Sequence, residues 1–444
     1  MRRFFPLCAL LLVLCLGFSA CQTAGKAPDA AKAPADGGSF NVSATATADD
    51  AKLADKPKEE APAPLPADHW LAGTSDAPDM VPATIAAPAP RVLLREHGPA
   101  YLEQIGDERV LHLKGTHYDM GFQHGALMKD EIMEASAKIL AVGNLSWKGN
   151  FQASLDEAWN RTSPFLPEKY KEEIRGMADA TGLSVQQVQN FTIFPELFHC
   201  SGFALWGTAT ADGELLHGRV LDYMRSAGLD KYSLIIIQEP EGANAFVNVA
   251  YSGMIGSVTG MNDRQIGVGE MGGGGAEKWD GMPMTFLIRE CLESGSVLDD
   301  VVRIMRDTAR TCQYYYVISD AKAENGRGMA YGVAAETDGI QFIGPNEFHP
   351  QLPLPVEDAV LLSAGDRYRV LAERAKKMHG QFTPQLALDL MARGVSMTSN
   401  MHNALFKPKT MELWVANSTV RQPACNRAYR HYDIRALMAS KPGK

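Results

Sequence analysis

The sequence predicts an α+β fold, a four-layer αββα sandwich in which two stacked sheets carry helices on both outer faces. Three observations predict it. At Cys200 the pattern changes from helical spacing to short β-runs. Those runs follow one another without intervening helices as far as Tyr251, which argues against a parallel doubly wound sheet. Two helical pairs then alternate with further strand groups, enough to cover both faces.

In order along the chain, Arg2 and Arg3 precede an apolar run from Phe4 to Phe18 and then Ser19-Ala20-Cys21. This is the layout of a secretory signal over residues 1–20, too short and too early for a membrane span. Ser-Ala-Cys resembles a bacterial lipobox, which implies lipidation at Cys21, a membrane anchor and residence in the cell envelope, at the outer membrane or periplasmic face. A plain signal peptide cut nearby is the alternative. Residues 21–90 are dominated by Ala, Pro, Asp, Lys and Gly and lack the apolar surface to fold, so they read as a disordered tether.

From residue 91 the composition is globular, and residues 91–199 and 200–444 are expected to form one catalytic unit. The first segment predicts a strand over 110–114, helical spacing through Met120, His124, Met128, Ile132 and Ile139, and helices over 167–179 and 185–191, the last capped by Ser184. After Cys200, strands over 203–210 and 215–221 flank the turn signal Ala211-Asp212-Gly213. Strands over 233–238, 245–251 and 266–269 follow, then helices over 285–293 and 297–308. Strands over 314–319, 329–335 and 339–343, helices over 367–377 and 384–393, and a strand over 411–416 complete the reading.

Composition excludes some functions. A net charge of -9 gives no basic footprint for nucleic acid. The histidines lack metal-ligand spacing, no close pair of cysteines suggests zinc, and neither a metal nor another cofactor is expected. With Cys8 and Cys15 in the signal, Cys291, Cys312 and Cys425 are the candidates for a disulfide, whose pairing stays open.

A lone cysteine is more often core filler than nucleophile. Cys200 stands out by its company: it opens a strand, a turn follows at Asp212-Gly213, and the returning strand carries Gly218-Arg219-Val220-Leu221-Asp222. A thiolate attacks acyl carbonyls well, and an N-terminal α-amine of pKa about 8 is a suitable base for it at neutral pH. Cleavage at His199-Cys200 would create that amine.

Those residues are similar to the opening of the choloylglycine hydrolase, penicillin V acylase and penicillin acyltransferase branch of the N-terminal-nucleophile (Ntn) hydrolases. The resemblance continues through Gly260-Met261-Asn262-Asp263 and Asp366-Arg367-Tyr368. Upstream, the glycines in Gly115-Thr116-His117-Tyr118-Asp119-Met120-Gly121-Phe122-Gln123-His124-Gly125 resemble the helix of acyltransferase precursors, which keep their pro-segment as a small subunit. The resemblance implies self-cleavage before Cys200, with Asp222 holding the new amine and thiol, and Arg219 and Arg367 keeping the site electropositive. Val220 departs from the family's Asn. Gly272 stands ten residues after Asn262, where an oxyanion-stabilising Asn belongs, and backbone N–H groups of Gly272, Gly273 and the adjoining Gly274 and Gly275 are the candidate replacement.

Other polar clusters carry blander readings. The run 399–403, with Asn400, His402 and Asn403, reads as the lead into a core strand bordering the pocket. Glu270 and Glu336 are the carboxylates nearest apolar strands, without the geometry that would make them a glycosidase pair. Tyr314-Tyr315-Tyr316 alternates in and out of a strand as core packing.

The function expected from all of this is an Ntn cysteine hydrolase or acyltransferase acting on the linear amide of a small molecule or acyl-peptide through a Cys200 thioester. A phospholipase B-like or ceramidase-like lipid hydrolase and a non-catalytic envelope binding protein are the alternatives. Substrate identity and oligomeric state stay open.

Overall fold

The computed structural model describes residues 81–441 except 147–149, 194–198, 224, 273–277 and 351. The expected signal, Cys21 and most of the tether lie outside the described residues, as do Gly273, Gly274 and Gly275. The described residues fall within the unit Pro64–Lys444.

The segment before Cys200 begins with three strands where one was expected: β1 (Arg91–His97), β2 (Ala100–Ile105) and β3 (Glu108–Gly115). The long helical run breaks in two at Met128, giving α1 (His117–Leu127) and α2 (Lys129–Ser146). Thr116 caps α1 through a capping box with Asp119. Next come α3 (Phe151–Thr162), α4 (Glu168–Thr181) and α5 (Val185–Ile193). Ser184 Oγ accepts from the N–H of Gln187 at the head of α5.

The strand of Cys200 starts one residue before it and ends five after: β4 (His199–Leu205), joined to β5 (Leu216–Asp222) by a longer connection than a tight hairpin. Then follow β6 (Ser233–Pro240), β7 (Phe246–Tyr251), β8 (Thr259–Asn262), β9 (Ile266–Gly272), α6 (Met284–Ser294), α7 (Leu298–Asp307) and β10 (Tyr314–Asp320). After the one-turn α8 (Ala323–Gly326) come β11 (Met329–Ala335), β12 (Ile340–Ile343), β13 (Ala359–Leu362), α9 (Asp366–Lys377) and α10 (Pro384–Leu390). The chain closes with β14 (Asn400–Lys407), β15 (Glu412–Asn417), β16 (Arg430–Asp433) and α11 (Ile434–Met438).

These strands make a ten-stranded sheet, β1-β2-β3-β6-β7-β8-β9-β10-β11-β12, and a six-stranded one, β13-β4-β5-β14-β15-β16. The first strand pair across the two chain segments is β3 with β6, the parallel pair of the large sheet, so residues on both sides of Cys200 share one sheet. Period-two alternation divides the core. Along β6, Ile235 and Ile237 point between the sheets toward Phe406 and Val415. Leu234 and Ile236 point outward to the cluster holding Met120, Ile174, Phe286 and Leu292 from α1, α4 and α6. On the far side, α9 and α10 cover the small sheet, with Leu371 and Leu388 in one cluster with Phe203 and Leu361. The four layers are therefore helices, large sheet, small sheet, helices, an αββα sandwich of the α+β class.

The glycines of the upstream motif have a packing role. A Cβ at Gly121 would lie 2.0 Å from the Glu173 carbonyl oxygen, and one at Gly176 would lie 2.2 Å from that of Tyr118, so α1 and α4 touch backbone to backbone.

Candidate active site

Cys200 pairs with Leu221, Ser201 with Val220 and Gly202 with Arg219 across β4 and β5. On its other side β5 pairs with β14, which sets Asn400 opposite Asp222 and Ala404 opposite Arg219. Opposed residues share a face, so Cys200 with Leu221 and Gly202 with Arg219 face one way, and Asp222 with Ser201 the other.

On the first face Arg219 is fully buried and donates to Glu270 Oε2 on β9 at 3.1 Å, a bond that crosses from the small sheet to the large one. Its Nη1 donates to the Val220 carbonyl, and its aliphatic stem crosses Gly269, where a Cβ would come within 3.1 Å of Arg219 Cδ. Glu270 is the site residue that sequence reasoning left without a role. Its signal was a carboxylate in an otherwise apolar strand, but its partner is visible only once the sheets are stacked.

On the second face Asp222 accepts from Arg367 Nη1 at 2.8 Å and from the Met397 N–H at 2.9 Å. Arg367 is the second residue of α9 and also donates to Ser201 Oγ at 3.1 Å, which lies 2.6 Å from Ser363 Oγ. One guanidinium thus ties the aspartate to the residue after the cysteine. Burial pushes the Asp222 carboxyl up, and the Met397 N–H and Arg367 act against that shift.

Cys200 is 4% exposed and opens on a cleft of about 310 Å³ lined also by Met271, Gly272, Tyr315, Ser363 and Arg367. Burial pushes its thiol up to about 12, while the nearby Arg219 charge draws it down. In the intact chain the thiol is therefore neutral at physiological pH. It needs a base beside it to become a nucleophile.

Of the expected site residues, the structure brings Cys200, Arg219, Asp222, Arg367 and Gly272 together. His199 enters through its backbone, opposite Asp222. Asn262 goes elsewhere: its Nδ2 donates to the Leu292 and Gly295 carbonyls at the end of α6, and its Oδ1 accepts from the Arg264 and Ile266 N–H groups. It fixes the β8–β9 turn and does not line the Cys200 cleft. Tyr315, read as core packing, lines the cleft, while Tyr314 and Tyr316 are buried. Glu336 directly follows β11 and accepts from Gln313 Nε2, whereas Glu270 on β9 is taken up by Arg219. Among the described residues no disulfide joins the cysteines, and no group of three or more His, Cys, Asp or Glu is placed to hold a metal.

His402 is fully buried in β14, with Nδ1 3.2 Å from Tyr251 Oη and Nε2 3.0 Å from Thr259 Oγ1. Burial and the Arg219 charge hold its pKa well below the ordinary histidine value. It is a neutral packing group, as are Asn400 and Asn403, bonded to each other at 2.9 Å.

Beside this strand pair lies a second cavity of about 60 Å³. Leu221, the ladder partner of Cys200, lines it with Ile139 of α2, Phe191 of α5, Tyr232, Tyr251 and Met401. Its wall is almost wholly hydrocarbon and aromatic and draws on both sides of the His199-Cys200 bond.

Residues 209–329 match the family model of acyl-coenzyme A:6-aminopenicillanic acid acyl-transferase. The protein dcd1B of Dictyostelium discoideum is 25% identical over 348 residues, covering 71% of this chain and 69% of that protein. Rat acid ceramidase is 25% identical over 208 residues, 40% of this chain and 51% of that one. Rat N-acylethanolamine-hydrolyzing acid amidase is 23% identical over 185 residues, 39% of this chain and 49% of that one. The chain spans about half the length of these last two relatives.

Proposed function

We propose that this protein, whose residues 209–329 match the acyl-coenzyme A:6-aminopenicillanic acid acyl-transferase family model, is a self-cleaving Ntn cysteine amidohydrolase or acyltransferase. One observation carries the reading: Cys200, the second residue of β4, opens on a cleft, and Arg367 links the following Ser201 to Asp222 on the paired strand.

In the intact chain the Cys200 thiol attacks the His199 carbonyl carbon and the acyl group moves from nitrogen to sulfur. Water then splits the thioester, leaving a His199 carboxylate and a free α-amine on Cys200. That amine, with a pKa about 8, takes the thiol proton. The thiolate adds to a substrate carbonyl, the C–N bond breaks, and the departing amine takes the proton from the α-ammonium. Water or an acceptor amine then cleaves the thioester.

Arg219 favours the thiolate through its charge, and Asp222 orients the new amine. The Gly272 backbone is the candidate donor to the oxyanion, by its position in the cleft. Intact-mass measurement of the purified protein tests the reading. Two fragments meeting at His199-Cys200, and a single uncut chain for Cys200→Ala, are expected. Wild-type protein that is active while uncut would overturn it.

A second reading, an enzyme releasing fatty acid from lipid amides, takes support from the almost wholly apolar wall of the cavity beside the Cys200 ladder, which at about 60 Å³ has room for a short hydrocarbon segment. Acid ceramidase among the relatives points the same way. Fatty-acid release from ceramide, compared with that from N-acyl amino acids, decides between lipid and acyl-amino substrates. Anchoring through a lipidated Cys21 in the bacterial envelope belongs to this proposal too, and a lipid mass increment on the peptide beginning at Cys21 tests it.

A further inference from the structure

A buried ionic cluster lies on the outer face of the large sheet, away from the cleft. Glu173 of α4 and Arg289 of α6 are both fully buried and meet through two hydrogen bonds, Nη1 to Oε1 at 2.8 Å and Nη2 to Oε2 at 2.7 Å. Arg289 Nε donates to Glu293 Oε1 at 2.7 Å, and its Nη1 also donates to the Ile255 carbonyl. His117, the first residue of α1, stands between the carboxylates, with Nδ1 2.9 Å from Glu173 and Nε2 3.4 Å from Glu293. Lys169 of α4 reaches Glu290 at 2.8 Å and Glu293 at 2.9 Å, and Tyr170 donates to Glu290 at 2.9 Å.

His117, Lys169, Tyr170 and Glu173 precede Cys200, whereas Arg289, Glu290 and Glu293 follow it. The Arg289–Glu173, His117–Glu293, Lys169–Glu290 and Lys169–Glu293 pairs all bridge the two segments. With His117 protonated, three cations face three carboxylates. A neutral His117 leaves one buried negative charge uncompensated, which is disfavoured in a low-dielectric site.

We propose that this cluster is the clamp that keeps the 91–199 segment bound to the 200–444 segment once the chain is cut, and that loss of the His117 proton loosens it. The proposal rests on the self-cleavage reading. From α1 itself, Asp119 is taken up by Thr116, and His124 accepts from the Gly253 N–H. Burial opposes the charge on His117, and the hydrogen bonds to Glu173 and Glu293 outweigh it, raising its pKa above the ordinary value. A raised histidine gives stability that is fully present below its unfolded pKa of about 6.5 and lost as pH rises through its folded pKa. The clamp therefore holds tightest in acid.

The test uses the matured two-chain protein, held between pH 5.5 and 9 and read by native mass spectrometry for separated fragments. Faster release at pH 9 than at pH 6 is expected, since the raised His117 loses its proton in between. His117→Gln should flatten that dependence. Glu293→Gln should shrink it, and carries the test if His117→Gln does not fold. pH-independent release in the wild type, or an unchanged slope in the variants, overturns the clamp.

Uncut Cys200→Ala separates the two ideas. Above pH about 6.5 its urea midpoint should fall with rising pH, and that fall should vanish in the double variant Cys200→Ala, His117→Gln. If the wild type is never cut, self-cleavage fails, while the same urea measurement still shows whether His117 couples the two segments.

Discussion

Asp222 and Arg367, 145 positions apart in the chain, meet at 2.8 Å beside the nucleophile strand. Asp222 is anchored a second time by the Met397 N–H. An aspartate held by two fixed donors can orient an amine at the end of the adjacent strand without moving. Asp222→Ala should abolish the cut before Cys200, and Asp222→Asn, which keeps an acceptor for Met397, should slow turnover on the order of 10²–10⁴-fold. A denaturing gel and single-turnover rates measure the two effects. Arg367→Lys keeps the charge but not the planar guanidinium that fixes Nη1 between Asp222 and Ser201, so it should fall between wild type and Arg367→Ala.

Arg219 and Glu270 form the other pair, wholly buried between the sheets. Removing one member of such a pair strands a charge, at about 3–5 kcal/mol. Glu270→Gln should lower the urea midpoint accordingly. Arg219→Gln should both destabilise the fold and slow alkylation of Cys200 by iodoacetamide, because the thiolate loses a cation whose charge favours it. Unchanged alkylation would separate Arg219 from nucleophile activation and leave it a purely structural role.

Acid sensitivity follows from buried histidines. His124 is fully enclosed, its Nε2 accepting from the Gly253 N–H, and burial lowers its pKa to about 4. Below pH about 6.5 the unfolded chain takes up a proton that the folded chain refuses, so stability falls as pH drops from there toward 4. The slope approaches about 1.4 kcal/mol per pH unit for each such histidine. His124→Gln, which keeps an acceptor toward Gly253, should remove its share. Urea midpoints at pH 7, 6 and 5 measure it, and an unchanged slope would assign the acid loss to other groups. His117, whose pKa is raised, acts with the opposite sign and above pH about 6.5, so its variant should change the curve there and His124→Gln below it.

The sequence made some of this visible and hid the rest for physical reasons. Cys200 was legible from its place where the helical pattern gives way to strands, and Arg219, Asp222 and Arg367 from the family motifs that their neighbourhoods resemble. Glu270 was not, since its role depends on which strand faces it across the sheet interface. β14 read as a polar cluster because Asn400, His402 and Asn403 are buried polar groups satisfied by neighbours, contrary to the apolar pattern of a core strand. β13 is four apolar residues, too short for periodicity to register. Asn262 misled because a turn asparagine that closes on its own backbone has the same local sequence as one that points into a site.

The contact between α1 and α4 joins fold to function through one glycine. Gly121 has no room for a side chain, its virtual Cβ lying 2.0 Å from the Glu173 carbonyl oxygen. Gly121→Ala would push α4 away at the residue whose carboxylate grips Arg289. Overpacking of this kind costs about 1–3 kcal/mol, and the displaced Glu173 adds the loss of a buried pair. The variant should therefore lose more stability than the same change at Gly182, which has open space around it and a left-handed backbone at the end of α4. Chemical denaturation of both variants compares them. Equal losses would mean that α1 can shift without disturbing the Glu173–Arg289 pair. A larger loss at Gly121, together with faster fragment release at neutral pH, would tie the helix contact to the hold between the segments.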